Sequence, residues 1–322
     1  MIGYLGHRAL HSLIVLSVMS FVIYGLMGLM PGDPIDLMIS ADPKLTSEDA
    51  IRLRELYGLD KSIMERYGNW LGAAVSGDFG YSRLFAKPVL DVLFPALANT
   101  VVLIGIAIGL SLLIGLPAGL IAALKPYSKL DYSINLLAFG GISMPAFWLA
   151  LLLIILFAVT WGVLPAGGTG ELAAGGAWTK LQFLVLPVMT LTIASVGGHT
   201  RYMRAAMLET LRQDYIRTAK AKGAGQVRIV LVHALRNAMI PVVTIIALDF
   251  GFLFSGALVT ETVFAYPGMG KLIFDSIMGN DFNLALVALL LATGVTLIGN
   301  LLADLASEFP DAQRGIKGEN AG

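Results

Sequence analysis

The sequence contains six apolar stretches, each long enough to cross a lipid bilayer as an α-helix. A bilayer offers no water to unpaired peptide groups, so helices or closed barrels are required, and a spanning helix needs about 20 apolar residues. With 57% hydrophobic and 14% charged residues, the chain is too apolar for a soluble protein. We predict an all-α polytopic membrane protein with spans at 9–30, 98–124, 134–160, 181–202, 237–260 and 283–306.

Four prolines indicate where the predicted helices should be interrupted. Proline lacks the amide proton that an interior helical turn uses, so four prolines should kink or terminate their helices: Pro117, Pro145, Pro187 and Pro241. The first stretch, 10–30, is long for a signal peptide, and no small-residue cleavage site follows it directly. We therefore expect an uncleaved first span.

Lysine and arginine indicate which side of the membrane each connection occupies, because they accumulate in cytosolic loops. With the N-terminus inside, the cytosolic segments carry 13 of these residues and the short outer loops carry 2. The long segment 31–97 holds the other seven, but long segments cross largely regardless of charge. We predict that both termini lie in the cytosol.

These spans predict four regions: an accessory transmembrane helix at 1–30, an external segment at 31–97, a five-helix core at 98–306 and a cytosolic tail at 307–322. In the external segment, Ser47 and Glu48 belong to a helix start signal at 46–49, with an end expected at Gly58. An amphipathic helix is expected over Ile63–Val75, lying on the outer membrane surface. A solvated loop is the alternative for that piece.

The sequence contains no recognisable motif for catalysis, metal binding or nucleotide binding. It has no cysteine, and its four histidines are too scattered for a zinc site. It lacks a phosphate-binding loop, a His-Glu-x-x-His pair and a Gly-x-Ser-x-Gly nucleophile. Zero net charge gives no general electrostatic argument for a nucleic-acid partner. We predict no catalytic residue, no metal site and no cofactor in this chain.

A hydrophilic stretch at 215–223 lies in the most basic cytosolic connection, 203–236. Asp214 is a plausible N-cap and Gly223 a plausible C′ residue of a two-turn helix, with Lys220 and Lys222 in its last turn. A helix this short is marginal in water, so it needs packing partners. A thin helix can enter a groove on another protein, whereas the alternative is a basic loop lying on anionic lipid.

The residues of this connection resemble the coupling segment of permease subunits in ATP-binding-cassette importers of the peptide/nickel type. The general signature is Glu-Ala-Ala, three residues, Gly, nine residues, Ile-x-Leu-Pro. Here Ala219, Gly223 and Leu235 match it, whereas four positions depart from it: Arg217, Thr218, His233 and Arg236. The departures are similar to the peptide branch, where Arg-Thr-Ala-x-Ala-Lys-Gly precedes His-Ala-Leu-Arg-Asn. Further similar pieces are Pro31-Gly32-Asp33-Pro34, Gly77-Asp78-Phe79-Gly80, Glu261-Thr262-Val263-Phe264 and Pro267-Gly268-Met269-Gly270.

The resemblance implies a type I importer permease fold and a heteromeric complex in a bacterial inner membrane. The expected partners are a second homologous permease, two ATPase subunits that bind ATP and Mg²⁺, and a periplasmic substrate-binding protein. The cargo would be di- or oligopeptides, with nickel complexes, glutathione and opine-like solutes left open. The residues expected to contact an ATPase are Asp214, Tyr215, Arg217, Thr218, Ala219, Lys222 and Gly223.

Single polar residues suggest further roles. Asp249 lies about halfway along the fifth predicted span, so it should face protein or water, either lining the translocation path or making a structural hydrogen bond. His199 and Arg201 end the fourth span and are expected at lipid headgroups or a partner. Glu261 should begin the following outer loop, where the resemblance implies an outer gate or receptor contact and a solvated loop is the alternative. That set is Glu261, Pro267, Gly268 and Gly270.

Two other function classes compete with this interpretation. A secondary transporter driven by an ion gradient would favour inverted repeats, of which the sequence shows none that is convincing, and it leaves the cytosolic helix unexplained. An intramembrane enzyme would need a nucleophile with a base, or a metal site, and neither pattern is present.

Overall fold

The computed structural model describes residues 2–29, 48–49, 51–52, 61–169 and 176–319, with side chains described except at 2–5, 177, 247–256, 303 and 305–319. The described elements in chain order are α1 (Ile2–Gly28), α2 (Ile63–Val75), β1 (Tyr81–Ser82), β2 (Lys87–Pro88), α3 (Val89–Leu124), α4 (Lys129–Ser143), α5 (Ala146–Leu153), a π-helical segment π1 (Ile154–Thr160), α6 (Ala177–Leu211), α7 (Asp214–Ala221), α8 (Gln226–Arg228), a second π-helical segment π2 (Ile229–Ala234), α9 (Leu235–Val263), α10 (Met269–Met278) and α11 (Phe282–Glu319).

Five described stretches are long and apolar enough to cross a membrane as single helices: Gly6–Gly28, Val89–Leu124, Trp178–Leu211, Gln226–Ile246 and Phe282–Leu302. The segment predicted as a span at 134–160 is broken, because two helical pieces meet there at a bend of 99°, and the interruption predicted at Pro145 is confirmed. Met144 is extended, with ψ of 126°, since the following Pro145 disfavours the helical conformation at that position. If the bent pair counts as one span, the described residues hold six.

The other three prolines do not terminate helices. Pro117, Pro187 and Pro241 all lie inside helical segments. Two helix ends also differ from prediction, since α3 begins before 98 and α11 continues past 306 into the predicted tail. Most of the helix predicted between 46 and 58 lies outside the described residues.

The chain divides into two compact units, and the first comprises Met1–Asn99 with Gly268–Gly294. Its apolar core joins α1 to the start of α11, where Tyr24 packs with Leu286. The predicted amphipathic helix at Ile63–Val75 is confirmed as α2. Its Tyr67 and Trp70 side chains pack on this core, and the Tyr67 hydroxyl lies 2.7 Å from Ser20 Oγ.

A two-stranded antiparallel hairpin, β1 with β2, is fastened to the start of α11 in the same unit. The buried Asp281 carboxylate accepts a 2.5 Å hydrogen bond from Ser82 Oγ and a 3.0 Å bond from the amide of Leu84. It also accepts the amide of Leu284 at 3.3 Å, which caps the first turn of α11. One carboxylate therefore fixes both elements.

The second unit comprises Thr100–Pro267 with Val295–Gly322, and α6 lies at its centre. Two glycines bring the neighbouring backbones into direct contact with α6. A Cβ atom on Gly119 of α3 would lie 2.4 Å from the carbonyl oxygen of Thr200, and one on Gly197 would lie 2.2 Å from that of Ala138 in α4. Small residues permit such close helix packing in membranes, where van der Waals contact drives association.

Candidate functional site

The short helix α7 is held in the second unit by one buried side chain. Ile216 is 0% exposed and packs in an apolar cluster with Met203 and Met207 of α6. The same cluster contains Ile229 and Val230 of π2. Because an isolated eight-residue helix is unstable in water, this contact is what orders it. Ile216 is not among the residues predicted from the sequence, although it is the only large aliphatic side chain in the helix.

The polar face of α7 carries the residues predicted to contact a partner. Asp214, Tyr215, Arg217, Thr218, Lys222 and Gly223 are exposed, and Ala219 is half-buried. Asp214 and Arg217 form an ion pair on this surface. The prediction that Asp214 is the N-cap is wrong, because Gln213 has the extended N-cap conformation and Asp214 is the first helical residue. Its carboxylate still lies at the positive end of the helix dipole.

The C-terminus of α7 ends as predicted at Gly223, whose φ of +78° is a left-handed conformation. The amide of Ala224 donates to the carbonyl of Ala219 at 3.1 Å, and the amide of Gly223 donates to that of Lys220 at 2.9 Å. These two bonds define a Schellman motif, which satisfies carbonyls that the helix leaves open. The helix therefore has a fixed length and a fixed exit direction.

A wider helical turn connects α7 to the long helix α9. In π2 the amide of Leu235 donates to the carbonyl of Val230, five residues back, instead of four. The Asn237 side-chain amide donates to the carbonyl of His233 at 2.8 Å, within the same turn. Single π-turns inside α-helices often occur at functional positions. No residue type marks this π-turn, so the sequence does not predict it.

His199 and Arg201 were predicted together at headgroups or a partner, and the structure separates them. The prediction is wrong for His199, which is 1% exposed and lies 2.7 Å from Ser111 Oγ through Nδ1. Arg201 is exposed, and its guanidinium lies 4.8 Å from the centroid of the Phe139 ring. The two side chains occupy different faces of α6 because they are two residues apart.

Glu261 does not begin a loop as predicted, because it lies inside α9 and is fully buried. Its carboxylate accepts a 2.5 Å hydrogen bond from Thr100 Oγ1, and its carbonyl accepts the amide of Tyr266 at 2.8 Å. Burial and then the nearby Glu261 carboxylate raise the pKa of Tyr266 to about 12, so its phenol stays protonated. This burial excludes the solvated-loop alternative for Glu261.

Three other residues were predicted at the outer gate or receptor contact. Pro267 is exposed, Gly268 is the N-cap residue of α10, and Gly270 is buried in the first turn of α10. Asp249 lies within α9, but its side chain is outside the described part of the chain. Its role in a translocation path stays a prediction.

Comparison with known proteins gives matches along nearly the whole chain. Residues 115–312 match the family model described as "Binding-protein-dependent transport system inner membrane component", and residues 1–104 match the model of its N-terminal region. The oligopeptide transport system permease protein AppB of Bacillus subtilis is 38% identical, covering 97% of this chain and 98% of its own. A putative peptide permease protein of Brucella suis is 39% identical, with coverages of 95% and 97%. The dipeptide transport system permease protein DppB of Escherichia coli K12 is 34% identical, with coverages of 86% and 88%.

Proposed function

The chain belongs to the family of binding-protein-dependent transport system inner membrane components, and from this premise we propose that it is the permease subunit of an ATP-driven peptide importer. It forms half of a translocation path, and a second homologous permease forms the other half. Two ATPase subunits bind ATP and Mg²⁺ on the cytosolic side, and a binding protein delivers the substrate from outside. Both termini then lie in the cytosol, in agreement with the lysine and arginine bias.

The observation that carries the proposal is the construction of α7. Its one buried residue, Ile216, fixes it to α6 and π2, while its remaining side chains are exposed or half-buried. A helix that is attached in this way can transmit a movement of the ATPase to the membrane helices without separating from them. Closure of an ATPase pair around α7 would move the packed helices as rigid bodies between two arrangements.

The peptide cargo is supported by the names of the relatives, which are peptide, oligopeptide or dipeptide permeases. A peptide carries a cationic amino terminus, and Asp249 is a candidate to attract it along the path. Glu261 and the segment that follows it act at the outer gate or the receptor contact. Nickel complexes, glutathione and opine-like solutes are the other candidate cargoes, among which the binding protein chooses.

Reconstitution of the complete importer tests the proposal. The chain is purified with its companion permease and ATPases, placed in proteoliposomes, and supplied with the binding protein and a labelled dipeptide. We expect uptake that requires both ATP and the binding protein, with peptide-stimulated ATP hydrolysis. A catalytically inactive ATPase subunit is the control. Uptake that follows an ion gradient without ATP would instead establish the secondary-transporter alternative.

A further inference from the structure

The amphipathic helix α2 carries a second apolar strip that is exposed. Met64 is 63% exposed, and Leu71 and Val75, which follow it after about two and three helical turns, are 40% and 82% exposed. This strip is distinct from the side of α2 that packs on the core of the first unit through Tyr67 and Trp70. Neither the family description nor the coupling role of α7 assigns a partner to the exposed strip.

The contacts between α2 and α1 show how deep α2 lies in the membrane. The start of α2 is level with the end of α1, since a Cβ atom on Gly28 would lie 3.2 Å from Ile63 Cδ1. The Tyr67 hydroxyl lies 2.7 Å from Ser20 Oγ. Ser20 belongs to the spanning stretch Gly6–Gly28 and precedes its end by eight residues, which is about 12 Å along a helix. Helix α2 therefore lies beside the last turns of a spanning helix and not beyond them.

The exposed strip lies on the side of α2 that reaches deepest along α1. Leu71 follows Tyr67 by one helical turn, so the two side chains are neighbours on the surface of α2. The Tyr67 ring meets the Phe21 ring edge-on, with centroids 5.3 Å apart, and Phe21 is itself 39% exposed within the span. The exposed apolar surface of α1 therefore continues onto α2, and hydrocarbon that covers the first also reaches the second.

The rest of the exposed surface of α2 is polar. Glu65 and Asn69 are exposed, one helical turn apart, on the side that points away from Leu71. Glu65 forms an exposed ion pair with Lys61 at 3.0 Å. A helix with one apolar and one polar side at this depth matches the boundary between acyl chains and headgroups, where both sides find a suitable environment.

We propose that α2 is inserted in the lipid leaflet at the C-terminal end of α1. Met64, Leu71 and Val75 lie among the acyl chains, and Glu65 and Asn69 face the headgroups and water. The helix thereby attaches the first unit to one leaflet. That this is the outer leaflet rests on the orientation given by the proposed function, whereas the insertion itself depends on the depth of α2 along α1.

Spin labelling of the complete importer in proteoliposomes tests this placement. The chain has no cysteine, so Met64→Cys and Leu71→Cys each carry one label in it, with companion subunits that lack cysteine. We expect both labels to collide more with oxygen, which concentrates in the bilayer, than with the water-soluble complex chromium oxalate. Asn69→Cys is the matched control, because Asn69 is exposed on the polar side of the same helix, and its label should show the opposite preference.

Val75→Cys provides a third site, at the most exposed of the three side chains, and should agree with the first two. Preferential collision with chromium oxalate at Met64 and Leu71 would place the strip in water and overturn the inference. Rare collision with both reagents would show that a protein partner covers the strip, which would also overturn it. Either result in a complex that still transports peptide would refute the insertion alone. Absence of ATP-driven uptake would refute the proposed function and leave the label measurements valid.

Discussion

The carboxylate of Asp131 and the guanidinium of Arg204 form a bidentate ion pair between α4 and α6. Arg204 Nε lies 2.6 Å from one carboxylate oxygen, and its terminal nitrogen Nη2 lies 2.7 Å from the other. Asp131 is 2% exposed, and it also accepts the Tyr127 amide at 2.8 Å and the Asn135 side-chain amide at 2.6 Å. The pair therefore fixes the N-terminal end of the bent segment to the central helix of the second unit.

This pair should be strongly coupled in a double-mutant cycle. Asp131→Ala leaves a partly buried guanidinium without its counter-charge, and we expect a loss of about 3 kcal/mol of stability. The double variant with Arg204→Ala should lose less than the sum of the two single variants. Thermal unfolding in detergent measures the effect. Glu65→Ala, which breaks the exposed pair with Lys61, is the control and should change stability by less than about 1 kcal/mol. Additive single effects at Asp131 and Arg204 would show that the pair does not join the helices.

Gly119 should not tolerate alanine. The added methyl group would lie 2.4 Å from the Thr200 carbonyl oxygen and 2.8 Å from Met203 Cβ, so α3 and α6 must separate. Overpacking of this kind costs about 1–3 kcal/mol. Gly105→Ala in the same helix is the matched control, because nothing lies within 4 Å of its added Cβ, and it should be neutral or slightly stabilising. Thermal unfolding of the two purified variants measures the difference in stability. Equal melting temperatures would mean that α3 and α6 do not approach each other this closely in the membrane.

Ile216→Ala should release α7 from the bundle. The side chain is fully buried against Met203 and Ile229, so truncation leaves a cavity and costs about 2–5 kcal/mol of local stability. We expect peptide-stimulated ATP hydrolysis and uptake to fall together, while basal hydrolysis by the ATPases persists. Ile155→Ala makes the same chemical change at a side chain that is 60% exposed, and it should leave coupling intact. Normal stimulation in Ile216→Ala would argue against transmission through α7.

Gly223→Ala tests the end of α7 with a smaller change. A left-handed conformation costs a non-glycine residue about 1 kcal/mol or more, so the Schellman bonds to Lys220 and Ala219 should weaken. We expect reduced stimulation of ATP hydrolysis with unchanged assembly of the complex. Gly225→Ala is the matched control, because Gly225 has a φ of −66° and free space around its Cβ position. If both variants behave alike, the exit direction of the helix is unimportant for coupling.

Local features of the sequence predicted a large part of this molecule. Apolar length predicted the five long apolar helices, the amphipathic pattern predicted Ile63–Val75, and the glycine at 223 predicted the end of α7. Each of these follows from the residues of one segment, because hydropathy, helix periodicity and the conformational freedom of glycine act over a few neighbouring residues. Pro145 also predicted a break, although not the 99° bend that follows it.

Contacts between residues far apart in the chain determined the features that local sequence did not predict. The pairing of Asp131 with Arg204 joins residues 73 apart in the chain, and His199 is buried against Ser111 rather than facing lipid. The sequence alone determined which segments are apolar enough to cross a membrane and where the short helix α7 ends, since both depend on local composition. Only the tertiary structure decided which side chains hold these segments together, among them Ile216 beneath α7, because a side chain's burial depends on what distant parts of the chain bring against it.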